Sequence, residues 1–151
     1  MPGERADQVP SSGINTGLGR TLTVVYGLFA LAATGRSAVQ LIGDPGRAPL
    51  AYSVSAVAAI IYLVATVCLA LGDRARRMAI VACSVELAGV VMVGALSYLL
   101  PALFPDRTVW SHFGQGYAFV PLVLPVVGLW WLVWGQRGRA SASAAGQSRS
   151  T

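Results

Sequence analysis

The stretch from Leu50 to Leu100 reads LAYSVSAVAAIIYLVATVCLAL (50–71), GDRARR (72–77) and MAIVACSVELAGVVMVGALSYLL (78–100). Two long apolar runs are parted by six residues that hold three arginines and an aspartate. Neither run carries the polar face that a soluble helix needs. Lipid offers backbone N–H and C=O groups no partners, so an apolar run of this length crosses it as a helix. The pattern continues outward on both sides. A run from about Leu22 to Ile42 precedes it, joined through the turn-forming linker GDPGRAP (43–49), and another from Tyr117 to Trp134 follows the connection PALFPDRTVWSHFGQG (101–116). At about 1.5 Å per residue the four runs are roughly 27 to 35 Å long, the thickness of a hydrocarbon layer of about 30 Å.

The expected fold is therefore all-α: an integral membrane bundle of four transmembrane helices at about 22–42, 50–71, 78–100 and 117–134. These lie in a transmembrane domain of residues 19–136, between flexible cytoplasmic tails at 1–18 and 137–151. The segment ALAATGRSA (30–38) resembles a signal-peptide cleavage region, but its apolar run is too long for one and three more follow, so the helix is retained. Composition agrees. Of 151 residues, 55% are hydrophobic and 11% charged, where a soluble domain has about a quarter charged. Mean hydropathy is +0.63. Disordered chains are excluded, and a soluble globule is disfavoured.

The net charge is +5 and every basic residue is arginine. Arg5, Arg20, Arg74, Arg76, Arg77, Arg137, Arg139 and Arg149 fall on one side of the spans, and Arg47 and Arg107 on the other. The positive-inside rule places both termini and GDRARR in the cytoplasm. That accounts for the basic charge without nucleic acid, for which no motif exists. Aromatic residues mark the span ends: Trp130, Trp131 and Trp134 inside, and Tyr52, Tyr98, Trp110, Phe113 and Tyr117 outside.

Between helices in lipid, small and polar residues mark the faces that touch. Helix 3 shows such a stripe: Ala79, Ala82, Cys83, Glu86, Gly89, Val93 and Ser97. Helix 2 offers Ala51, Ser55, Ala58, Tyr62, Ala65 and Thr66, and helix 1 offers Ala32, Ala33, Arg36 and Gln40. Pro121 and Pro125 bend helix 4.

Arg36 and Glu86 are the ionisable residues within spans, and an arginine at mid-membrane costs at least about 2.5 kcal/mol. From the cytoplasmic ends, Glu86 lies about 12 Å deep, Arg36 about 21 Å and Tyr62 about 13 Å. Arg36 and Glu86 either pair with each other or occupy separate hydrogen-bonded sites, with Tyr62 level with the carboxyl and Gln40 one turn from Arg36. A buried carboxyl suits a proton- or cation-coupled site, and it equally suits a polar contact that fixes helix register; with no second acid nearby, the structural role is favoured. His112, in WSHFGQGY (111–117 with Trp110), is the outer-loop candidate: a headgroup or pH-sensing group, or an interfacial histidine beside Trp110 and Phe113. Cys68 and Cys83 form no CxxC or metal pattern, and no catalytic residue, metal site or cofactor motif is visible.

The segments VYGLFALAATGRSAVQLI (25–42), VELAGV (85–90) and VWSHFGQGYAFVPLVLPVVGLWWL (109–132) resemble uncharacterised small four-helix integral membrane proteins of actinobacteria. The resemblance covers Val24 to Leu132, omits both tails, and implies a membrane location without an activity. A looser architectural likeness is to small multidrug exporters, whose essential glutamate lies in the first helix where this chain has Glu86 in the third. The resulting expectation is a multi-pass protein of the bacterial plasma membrane. It would be a non-enzymatic accessory or structural component whose partners are the lipid bilayer and a second copy or a larger membrane complex. The alternative is a small, dimeric, proton- or cation-coupled transporter built on Glu86.

Overall fold

A computed structural model describes residues 14–43 and 46–134. Most of both expected tails therefore lies outside the described residues. The described chain is all-α, with α1 (Ile14–Gly43), α2 (Pro49–Leu71), α3 (Arg76–Leu99) and α4 (Val120–Trp134), and no strand. Short 3-10 turns occupy Gly72–Ala75, Pro101–Leu103 and Ser111–Tyr117. Two helical stretches, Gly17–Gly43 and Pro49–Leu99, are long and apolar enough to cross a membrane. Ser111–Tyr117 and Val120–Trp134, bent by 98° at their junction, make a third if taken together.

The Pro49–Leu99 stretch is not one straight rod. Gly72 adopts φ +62°, a conformation glycine takes without the steric penalty of a Cβ. The chain reverses there, so α2 and α3 pack against each other. The helices then form a ring in which α1 touches α2, α2 touches α3, α3 touches α4, and α4 returns to α1. This puts α1 and α3 on one diagonal.

Small residues set the spacing. All seven positions of the helix 3 stripe are buried, joined by Val90 and Gly94. On α2, Ala51, Ser55, Ala58, Tyr62 and Ala65 are buried, while Thr66 is half-buried. The face of α1 differs from the expected one. Leu22, Tyr26, Ala30, Ala33 and Ser37 are buried, whereas Ala32 is exposed and Arg36 and Gln40 flank the contact. The other side of each helix exposes aliphatic side chains such as Leu28, Leu31, Ile60, Leu63, Val81, Met92 and Val123. An apolar surface this extensive is compatible with a membrane-embedded protein.

The ends of two helices also differ from expectation. α1 already runs at Ile14, the first described residue, and INTGLGRT contains no proline to interrupt it. α4 begins at Val120 because Ala118 and Phe119 take left-handed φ values of 53° and 59°, which break the helix. Within the preceding turn His112, Phe113 and Gly114 are left-handed as well, at 54°, 59° and 77°. A Cβ at Gly114 would lie 2.8 Å from the Pro121 ring, so the tight turn requires glycine.

That turn delivers two aromatic rings into α3. Trp110 covers Gly89, where a Cβ would stand 2.6 Å from the indole, and Phe113 covers Gly94. Trp110 is 3% exposed, so it is a core residue and not an interfacial anchor. Tyr52, also expected at the boundary, is buried too. Gly89→Ala should thus destabilise the protein by about 1–3 kcal/mol through overpacking. Gly35→Ala, where nothing lies within 4 Å of the new methyl, should be neutral or mildly stabilising. Thermal melts of the two detergent-solubilised variants check this contrast.

Candidate functional site

The central polar cluster joins the diagonal helices. Tyr26 on α1 donates its hydroxyl to Glu86 Oε2 on α3 at 2.7 Å. The same hydroxyl lies 3.3 Å from Cys83 Sγ, one turn before Glu86. A phenol has one hydrogen, and it is committed to the carboxyl, so the thiol is the donor in the second contact. The sequence puts Cys83 and Glu86 on one face through their three-residue spacing, and Tyr26 opposite them through the register of Leu22, Tyr26, Ala30 and Ala33. Tyr26, Cys83 and Glu86 are all fully enclosed.

Gly128 closes the cluster from α4. A Cβ there would stand 3.3 Å from Cys83 Sγ and 3.7 Å from the Tyr26 hydroxyl. A larger side chain would push α4 away from both. One atom of the cluster is left over: Glu86 Oε1 is buried and has no hydrogen-bond partner among the described residues.

An aromatic column continues from Tyr26 toward the outer loop. Its ring centroid is 6.2 Å from that of Tyr62, which is 6.5 Å from Trp110 in an edge-on arrangement. Trp110 Nε1 donates to the Tyr62 hydroxyl at 2.9 Å, which satisfies both buried polar ends. The loop behind Trp110 is held by its own side chains. Thr108 N donates to Ser111 Oγ at 2.9 Å, and the backbone N–H groups of Trp110 and Ser111 donate to Thr108 Oγ1 at 3.1 and 2.9 Å. His112 N donates to Ser97 Oγ at 2.8 Å, and the imidazole packs edge-on against Tyr98 with centroids 4.5 Å apart.

Arg36 and Glu86 do not pair. The Arg36 guanidinium points to the outer loop, donating to the Arg107 carbonyl and, at 3.5 Å, to the Tyr117 hydroxyl. The depth difference read from the sequence is resolved by each residue finding a local partner. Tyr62, level with Glu86, bonds Trp110 instead of the carboxyl. Gln40 makes no bond to Arg36, and its Oε1 is buried without a partner. His112 lies beside Tyr98 and Phe113, with Trp110 turned away into the core.

Tyr26 was not among the expected site residues. Its signal was the four-residue spacing from Leu22 through Tyr26 to Ala30, hidden because every neighbouring residue is also apolar. At the other end of the bundle, Arg76 Nε and a terminal nitrogen donate to the Leu132 carbonyl at 2.9 and 2.7 Å. This brings a cation to the last described turn of α4, the sign of charge that a helix C-terminal half favours.

No group of three His, Cys, Asp or Glu side chains suited to a metal occurs among the described residues. The cluster offers hydrogen-bond exchange between a thiol, a phenol and a carboxyl. No protein-family model, curated protein or solved structure matches the chain.

Tyr26→Phe keeps the ring and removes the donor from a buried carboxyl. The expected cost is about 1–3 kcal/mol, read as a lowered melting temperature in detergent. Trp110→Phe, which strips the donor from Tyr62, should act in the same direction.

Proposed function

We propose that the chain is a four-span protein of the bacterial plasma membrane, a non-enzymatic accessory or structural component that works through helix contacts. The observation that carries this reading is the burial of Glu86. The carboxyl spends its strongest contact on Tyr26 of the opposite helix and is walled in by Cys83 and Gly128. A group so placed serves to lock one helix arrangement.

Several features support the membrane reading. α2 and α3 have 23 and 24 residues, about 35 Å each, and run as the two legs of a hairpin. α4 passes as a further apolar stretch only together with the segment before it, which is bent by 98°. The arginine asymmetry supports N-in/C-in orientation, with the 72–77 turn on the cytoplasmic side. The protein would act as a homo-oligomer or within a larger membrane complex.

One observation favours a second reading, a small proton- or cation-coupled transporter. Glu86 Oε1 lacks a partner, and an unmade hydrogen bond on a buried carboxyl is the place where a proton or cation would sit.

Glu86→Gln separates the two. The amide carbonyl still accepts from Tyr26, so the bundle survives. In proteoliposomes with an imposed pH gradient, the structural reading expects wild type and Glu86→Gln to leak protons at the same background rate. A wild-type flux abolished by Glu86→Gln, with an unchanged melt, replaces it with the transporter. Reporter fusions at residues 72–77 check orientation, and a signal from the far side overturns it.

A further inference from the structure

The turn between α2 and α3 borders an open cavity of about 280 Å³. One run of sequence lines it: Asp73, Arg74, Ala75, Arg76, Arg77 and Met78. At about 30 Å³ per water molecule, that volume equals roughly nine waters. It is far larger than the voids left by close packing.

The charge of the lining is one-sided, with three arginines against one carboxylate. Arg76 is fixed in place, since two of its nitrogens donate to the Leu132 carbonyl. Arg74 and Arg77 are exposed, and neither forms an ion pair or side-chain hydrogen bond among the described residues. Arg36 and Arg47, by contrast, have each found an oxygen partner. The first turn of α3 supplies no acidic residue to relieve the repulsion. Three cations within four positions oppose one another, and an anion held between them reverses the sign of that energy.

The place of the cavity indicates which anion. α2 and α3 are each about 35 Å long, slightly more than a hydrocarbon layer of about 30 Å. In a membrane the turn that joins them stands at the level of the lipid headgroups. Guanidinium groups offer paired N–H donors that match phosphate oxygens. Met78, an exposed apolar side chain, forms one edge of the same cavity.

Resting on the membrane-spanning reading above, we propose that the 73–78 cavity binds the phosphate of an anionic phospholipid. Arg74 and Arg77 donate to the phosphate oxygens, and Arg76 adds a fixed charge. The esterified side of the headgroup passes over Met78 toward the acyl layer. A choline headgroup would bring a further cation beside three arginines, so a zwitterionic lipid fits poorly. A free phosphate would meet the same donors and leave Met78 unused.

The test is titration of the full-length protein in detergent with phosphatidylglycerol, phosphatidylcholine and inorganic phosphate, read by native mass spectrometry. One phosphatidylglycerol per chain should be retained at least about tenfold more tightly than phosphatidylcholine. Arg74→Gln and Arg77→Gln should each cut that preference about fivefold, the share of one arginine at a charged lipid surface, and the double variant should abolish it. Both side chains are exposed, so thermal melts of these variants should match wild type and separate lost binding from lost folding. Arg20→Gln removes an exposed arginine outside the cavity, on the same side of the spans, and should leave the preference intact. Equal retention of the two lipids overturns the proposal. An equal loss in Arg20→Gln overturns it in favour of diffuse surface charge, and displacement of the lipid by millimolar inorganic phosphate in favour of a soluble anion. The assay does not depend on which side of the membrane the turn faces. A protein that stays monodisperse without detergent removes the membrane reading and this site with it, a failure distinct from the other three.

Discussion

A phenol and a carboxyl meet across the middle of this bundle, and the arrangement of the helices follows from that meeting. In a low-dielectric interior a buried carboxyl without a donor is far more costly than in water, so the helix that bears it must face the helix that bears its donor. Apolar side chains give no such instruction in the membrane proposed for this chain, where lipid would solvate them as well as another helix does. Tyr26 and Glu86 sit on helices that are not neighbours in the ring. Holding them together fixes the rotation of α1 and α3, and α2 and α4 fill the two remaining sides. Gly128 is the matching concession on α4, a missing side chain where Tyr26 and Cys83 need room.

The outer loop repeats the logic on a second level. Trp110 could have served at a polar boundary, but its indole fills the space over Gly89 and its N–H reaches Tyr62. The backbone that places it includes left-handed residues at His112 and Phe113, each costing about 1–2 kcal/mol. Thr108, Ser111 and Ser97 offset that cost by bonding the N–H groups that the irregular turn leaves open. The loop is thus a packed part of the bundle, built from residues that no helical period would have grouped.

Much of the architecture was legible in the order of residues, and the reason is physical. Small and polar positions mark the faces along which strongly apolar helices can touch, so the stripe from Ala79 to Ser97 announced the buried face of α3. Helix 1 was harder. Its apolar positions run all round, so the face of Tyr26 could not be told from its neighbours, and attention went to Arg36 and Gln40, which lie at the edge. Helical rise placed Arg36 and Glu86 at different heights but left open whether they pair, and it could not show that Tyr62 turns to Trp110. Long-range partners such as Arg36 with Arg107, or Arg76 with Leu132, depend on loop paths that carry no period. The left-handed turn before α4 was equally hidden, since only Gly114 and Gly116 hinted at it.

α4 itself has one more consequence. Its 15 described residues rise about 22 Å. The segment before it is folded over by 98° and adds little height. The chain that starts α4 also sets the Trp110 and Phe113 rings over Gly89 and Gly94 of α3, so any shift of this turn would be felt by both helices at once.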